Sequence, residues 1–311
     1  MPLAFSGTKT VGLLLVMLFC LAAGFAFAAD GSPNSQSAAE PALVWSSGNT
    51  LVMALQDRPG SMPPSLFSGP ASAEERAKYF PNGEAPASIS AFFIQAGDLH
   101  ILVDAGYGDA MPPLPGGLVD LMDKGTLPAQ RIDYVFLTHM HPDHIGALLR
   151  DGKRAFPKAK LVVAKPELEY WLAEADKDIA NTNAADVKAI VEAYGDDVMQ
   201  PFAFGDKLPG GITAIDATGH TPGHTVFQLD ANGKSLLIVG DIVHAAALQF
   251  PLPDECPEYD MDPAKATESR KRIMKMAADT KIPVAGMHIP FPGTGTVSVE
   301  GNGFKFTPKS K

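Results

Sequence analysis

A four-layer αββα sandwich of mixed α/β (α+β) class is the architecture that this chain predicts. Three observations lead to it. Short β-branched and apolar runs alternate with stretches of helical spacing, the series of strands followed by helices occurs twice, and His or Asp stands at the end of several of the expected strands. With 311 residues, 46% of them hydrophobic and 19% charged, the chain can bury a sizeable core. No short-period repeat is present, which excludes a solenoid.

The N-terminus reads as a signal peptide over residues 1–28. Lys9 precedes an apolar run from Val11 to Phe27, and Ala26-Phe27-Ala28 offers the small-x-small pattern of a cleavage site. The run is only about 17 residues, the short limit for a membrane span, so removal is expected and the mature chain is expected in the periplasm or secreted. Residues 29–48, rich in Ser, Ala and Asn, are expected to be a flexible leader, and 49–311 a single domain. Loss of Cys20 leaves Cys256 as the only thiol, so an intrachain disulfide is excluded.

Within the domain, Ile89 to Gln95 and Ile101 to Val103 flank a turn at Asp98-Leu99 and predict a β-hairpin that leaves through Asp104-Ala105-Gly106. Ile132 to Leu137 and Leu161 to Ala164 read as buried strands. Leu118 to Lys124, Pro166 to Asp176 and Ala184 to Tyr194 have helical spacing. In the second half Ile212 to Ala217, Thr225 to Leu229 and Ser235 to Val239 predict strands, the last two joined by the turn Asp230-Ala231-Asn232-Gly233. Pro263 to Asp279 reads as one helix, and the apolar run Ile282 to Gly286 leads into His288.

The formal net charge is -10, with the acidic residues scattered. That disfavours nucleic acid or an anionic membrane as partner, since both need clustered Lys and Arg. A small-molecule substrate fits better. Pro- and Phe-rich loops could form a homodimer surface.

Chemistry concentrates in Thr138-His139-Met140-His141-Pro142-Asp143-His144, directly after a predicted strand. Imidazoles and a carboxylate at this density are what a zinc-type site needs. A second group, Gly219-His220-Thr221-Pro222-Gly223-His224, follows another strand, and Asp241 and His288 end two more. Four strand ends can thus present donors from one edge of a rigid scaffold.

These motifs resemble the metallo-β-lactamase superfamily, whose signature is His-x-His-x-Asp-His. The resemblance covers the chain from about Asn49 onward and implies two divalent metal ions, zinc first, with cobalt, manganese or iron as alternatives. It implies that His139, His141 and His224 hold one ion, that Asp143, His144 and His288 hold the other, and that Asp241 bridges both. It further implies a bridging hydroxide as nucleophile, with Asp241 and Asp143 as the carboxylates that take part in the reaction. The segments around His220, Asp241 and His288-Ile289-Pro290-Phe291-Pro292-Gly293 are similar to the methyl parathion hydrolase branch, which includes organophosphate hydrolases and acyl-homoserine lactonases. The expected substrate is therefore a lactone or a phosphotriester. A mononuclear iron persulfide dioxygenase and a non-catalytic exported metal-binding protein are the competing readings.

Asp104 matches the superfamily's Asp that orients a ligand loop by hydrogen bonding. His220 and His244 are expected in hydrogen-bonding or packing roles beside the ligands, and His100 is expected to be incidental. Phe92, Tyr107, Trp171 and Phe291 are the aromatics expected to touch substrate; Phe67, Tyr170 and Phe250 are further candidates for an apolar pocket, with Leu66 to Gly69 and Met111 to Gly117 as rim loops.

Overall fold

The computed structural model describes residues 39–108, 116–125, 127–177, 181–195 and 197–309. The expected signal peptide and residues 111–115 of the expected Pro-rich rim loop lie outside them.

Seven strands form the first sheet in chain order: β1 (Ala42–Ser47), β2 (Thr50–Met62), β3 (Ala85–Ala96), β4 (Leu99–Val103), β5 (Tyr134–Phe136), β6 (Lys160–Ala164) and β7 (Met199–Phe202). The first four are antiparallel, and β4 to β7 run parallel. The second sheet continues with β8 (Lys207–Leu208), β9 (Ile212–Asp216), β10 (Thr225–Ala231), β11 (Lys234–Ile238), β12 (Val284–Ala285), β13 (Thr294–Glu300) and β14 (Gly303–Pro308). Only the β11–β12 pair is parallel, because the helix Pro263–Thr280 crosses between them.

Alternation along the strands decides the layers. Phe92, Ile94, Val103 and Phe136 from the first sheet meet Ile212, Ala214, Phe227 and Leu229 from the second in one buried cluster. The opposite faces carry helices. Leu102, Val135 and Leu161 pack with Leu118, Trp171, Val187 and Ile190 of the helices Leu118–Lys124, Lys165–Lys177 and Thr182–Tyr194. On the other side Val226 and Leu237 pack with Ile273, Met274 and Ala277. The result is the expected αββα sandwich.

Two sequence expectations are corrected, and one hairpin is added. Residues 42–47 are not leader but the edge strand β1, whose Val44 and Trp45 are buried. The β3–β4 hairpin turns at Gly97-Asp98, since Ala96 pairs with Leu99 and Gly97 has a φ of 62°. The C-terminal hairpin β13–β14 also escaped the reading, although Val297 and Val299 alternate opposite Phe306 and Phe304 across a Gly301 turn. Among the described residues, no helix is long and apolar enough to cross a membrane.

Candidate metal centre

All the chemistry collects at one edge of the sandwich, where strands end and loops begin. After β5 the chain turns sharply. The backbone N–H and the hydroxyl of Thr138 donate to the two carboxylate oxygens of Asp104 at 2.8 and 2.7 Å, which ties this loop to the exit of β4. His141 then caps a single helical turn, Pro142–Ile145, with Pro at its first position. That turn swings Asp143 and His144 toward the site. The His144 Nδ1 donates to Asp104 Oδ2 at 2.7 Å, so the other ring nitrogen keeps its lone pair free for the site.

The second loop joins β9 to β10. His220 Nδ1 donates to Asp260 Oδ1 at 2.9 Å, and Asp260 is in turn bound by Arg270 at 3.0 Å. The His220 Nε2 lies 3.0 Å from His141 Nδ1, which itself lies 3.0 Å from His139 Nε2. Nitrogens this close, drawn from two separate loops, converge on one small volume.

Asp241 stands at the centre. Its Oδ2 is 3.7 Å from His139, 3.3 Å from His220, 3.1 Å from His244 and 3.0 Å from His288, while Oδ1 is 3.2 Å from His144. Asp143 lies 3.3 Å from His288 and 3.6 Å from His144. Three-residue groups able to hold an ion are His139, His141 and His220; His139, His144 and Asp241; Asp143, His144 and His288; and His220, Asp241 and His244. The donor set fits a divalent metal. Two of its atoms, His144 Nε2 and Asp241 Oδ1, are fully buried and face each other at 3.2 Å without forming a hydrogen bond, an arrangement better satisfied when both bind a cation.

Electrostatics point the same way. Burial, with neighbouring imidazoles, holds His139 and His141 well below the ordinary histidine range, so both are neutral and ready to coordinate. For His220 burial acts downward too, but the carboxylates of Asp241 and Asp260 outweigh it and raise the ring to about 9. Burial would raise Asp241, yet His144 and His288 hold it well below the usual carboxylate range. Without metal, this carboxylate is matched by protons on its histidines. Cations would displace them.

The geometry corrects the sequence reading in several places. His224 is not in the cluster: its Nδ1 bonds the Ala217 carbonyl at 3.2 Å, and its Nε2 accepts the Asp241 backbone N–H at 2.9 Å. Both ring nitrogens are spent on positioning. Gly240 permits this close approach, since a Cβ there would lie 2.6 Å from His224 Nε2, at a φ of 55°. His220, expected as a supporting residue, takes the place in the cluster, and His244 joins it rather than only packing nearby. His139, His141, Asp143, His144, Asp241 and His288 lie together in the cluster, and Asp104 sits against His144. His100 lies away from the cluster, against Arg131 and Phe93.

The aromatic expectations fare less well. Phe92 is wholly buried in the core between the sheets and has no surface to offer a substrate. Phe67 is buried with Phe80, and Phe250 stacks on Phe306. Trp171 is buried, donates to Glu167 at 2.8 Å and sets its ring against His141 with centroids 5.8 Å apart. Tyr107 is buried beside Asp143 and Asp241; burial and then those charges raise its phenol, which stays protonated. Phe291 is half-buried.

Glu167, Asp260 and Arg270 went unnoticed in the sequence. Each lies far along the chain from the histidines it serves, in a helix or loop with no motif to flag it. The faint signal for Glu167 is an acidic residue on the otherwise apolar, Trp171-bearing face of its helix.

Comparison with known proteins follows this geometry. The Metallo-beta-lactamase superfamily profile matches residues 85–285. Among solved structures, the hydrolase AbOPH of the beta-lactamase superfamily is 28% identical with a TM-score of 0.79, covering 88% of this chain and 99% of its own. AidC, a dizinc quorum-quenching lactonase solved with the product N-hexanoyl-L-homoserine, is 25% identical with a TM-score of 0.78, covering 87% and 98%. The N-acyl homoserine lactonase AttM of Azorhizobium caulinodans is 30% identical over 145 residues, 43% of this chain and 49% of that protein. The uncharacterized protein YobT of Bacillus subtilis is 26% identical over 154 residues, 49% of this chain and 61% of its own. The chain thus spans about half to three-fifths of these curated relatives. From the residues matched and the shared sandwich, the chain belongs to the metallo-β-lactamase superfamily.

Proposed function

We propose that this chain is a binuclear metal-dependent hydrolase that opens an ester-like bond, either a lactone of the acyl-homoserine type or a phosphotriester. The observation that carries the reading is the position of Asp241, whose carboxylate reaches both groups of histidines: Oδ2 lies 3.7 Å from His139, 3.3 Å from His220 and 3.0 Å from His288, and Oδ1 lies 3.2 Å from His144. Likeness to a dizinc lactonase over nearly the whole domain supports it. So does the charge balance. Asp104, Asp143, Asp241 and Glu167 are all buried, and among the described residues none has a Lys or Arg as ion-pair partner. That much buried negative charge is better matched by two divalent ions than by one.

Bound there, the ions would supply a Lewis acid for the carbonyl or phosphoryl oxygen and would bring the pKa of a water down toward about 7. The chain's own residues do the rest. His139, His141 and His220 would hold one ion and Asp143, His144 and His288 the other, with Asp241 fixing the spacing. Asp104 and Asp260 set the tautomers of His144 and His220, so that each ring offers Nε2. The protonated Tyr107 phenol can donate a hydrogen bond but cannot act as a base. Zinc is the first candidate, and the same donors accept cobalt, manganese or iron. Export through residues 1–28 to the periplasm or beyond, and a small-molecule substrate, belong to the same reading.

The test is to purify the exported form, count its metals by elemental mass spectrometry and assay the same sample on a long-chain acyl-homoserine lactone and on paraoxon. About two ions per chain with turnover of either substrate is the expected result. A single iron, with sulfite formed from glutathione persulfide and no hydrolysis, would replace this reading with a dioxygenase.

A further inference from the structure

Glu167 is a wholly buried carboxylate in the first turn of the helix Lys165–Lys177. Its Oε1 accepts the Met140 backbone N–H at 2.9 Å and the Trp171 indole N–H at 2.8 Å. Its Oε2 accepts the Thr221 hydroxyl at 2.7 Å and the Gly223 backbone N–H at 2.8 Å. Met140 lies between His139 and His141, and Thr221 follows His220. One side chain therefore fastens both loops that supply the first group of histidines.

We propose that Glu167 is a positioning residue for that group: it holds His139 and His141 in register with His220 and so sets how firmly this half of the centre keeps its divalent ion. The assignment rests on the binuclear reading above. Four donors fill the lone-pair sites of a carboxylate, which leaves no place for a proton. Burial pushes the Glu167 pKa up, and these four hydrogen bonds act against it. The contact is also close-fitting from the other side, because a Cβ on Gly223 would lie 2.4 Å from the Glu167 Cβ. The other half of the centre uses different supports: His144 is held by Asp104, and His288 Nδ1 by the Ser88 carbonyl at 3.0 Å. Loss of Glu167 should therefore be felt by one ion and not by both.

Glu167→Gln tests this. An amide has a single acceptor oxygen, so whichever way it turns, at least one loop N–H is left without a partner. The zinc-loaded wild type and variant are challenged with a chelator, and release is followed per chain with a zinc-responsive dye, alongside the melting temperature of each metal-free form. The expected result is that the variant releases one ion about 10- to 100-fold faster, the range typical of groups that support a metal ligand, while the second leaves at the wild-type rate. Thr221→Val and Trp171→Phe each delete one donor and should accelerate the same ion by less; they carry the test if Glu167→Gln does not fold. Glu255→Gln is the control, a buried carboxylate that bonds Arg76 and the Ala71 amide and should lower melting without altering release. Release of both ions at wild-type rates, or equal acceleration of both, would overturn the assignment. A wild-type chain that binds no zinc would instead overturn the binuclear reading, and this assignment with it.

Discussion

The two halves of the centre are built to different rules. Around Asp143, His144 and His288, each ring is held from behind by an acceptor on the first sheet: the Asp104 carboxylate for His144 and the Ser88 carbonyl for His288. Around His139, His141 and His220, only His220 has a carboxylate behind it, Asp260, which the buried Arg270 fixes in place. His139 has the Thr138 hydroxyl at 3.1 Å. His141 is half-buried, and its ring contacts are the other histidines and Trp171. In the first half both rings are fixed from behind; in the second His220 is fixed in that way, while His141 depends on the backbone of its loop.

Asp241 joins the halves, and its removal should erase the contrast between them. Asp241→Ala is expected to lose both ions and to lower kcat/KM by at least about a thousandfold, because several kcal/mol of charge stabilisation disappear with the metals. Metal count and turnover on one sample check it. Retention of two ions by a folded variant would show that the halves do not depend on a shared carboxylate.

The next largest effect separates two residues of one loop. His220→Ala should remove one ion per chain, whereas His224→Ala should keep both and lower the melting temperature, since His224 supports the Asp241 backbone and not a metal. The reverse pattern would reinstate His224 as the ligand. This pair also marks where sequence reasoning stops. The strand-then-loop rhythm placed donors at four strand ends along one edge, because a period of two and a β-branched run are local properties of the chain, and the set of seven ligands is what the resemblance to the superfamily implied. Choosing between His220 and His224 is not local. Both follow a Gly in Gly-His-Thr-Pro-Gly-His, and what separates them is that Asp241, on another strand end, sends its N–H to one ring and its carboxylate toward the other. Glu167 was illegible for the same reason, as its four partners come from three segments. β1 and β2 were missed because Ser, Asn, Gly60 and Ser61 break the apolar alternation that the buried Val44, Val52, Ala54 and Met62 would otherwise display.

Single carboxylates behind each half should give intermediate effects of opposite address. Asp104→Asn is expected to weaken zinc binding at the His144 half by about 10- to 100-fold, and Asp260→Asn to do so at the His220 half. Calorimetric titration of the metal-free variants would resolve two binding steps, with only one shifted in each. If both substitutions shift the same step, the division into halves is wrong.

The smallest effect concerns the metal-free chain and its response to pH. Burial, and then the nearby His220, hold His224 down at about 3, and burial first of all holds His244 down at about 4, against an ordinary value of 6.5. The folded chain therefore keeps these rings neutral where the unfolded chain would protonate them. Stability contributed by the neutral rings is present above 6.5 and is lost as pH falls from there toward their folded values. His220 has the opposite sign: raised to about 9 by Asp241 and Asp260 against the pull of burial, it contributes fully below 6.5 and fades as pH rises through 9. His144 and His288 are raised as well and act in the same direction. The metal-free protein should thus melt highest near neutrality and lower at both about pH 5 and about pH 9, before most carboxylates titrate on the acid side. Zinc should flatten the alkaline limb, because coordination replaces the protons on His220, His144 and His288. It should leave the part of the acid limb that His224 contributes, since both ring nitrogens of His224 are bonded within the protein, and change the part that His139 and His141, also held well below the histidine range, contribute. Melting curves of His224→Gln separate the two: its acid limb should be shallower than that of wild type while the alkaline limb is unchanged, and an acid limb identical to wild type would mean that protonation of His224 does not limit the fold.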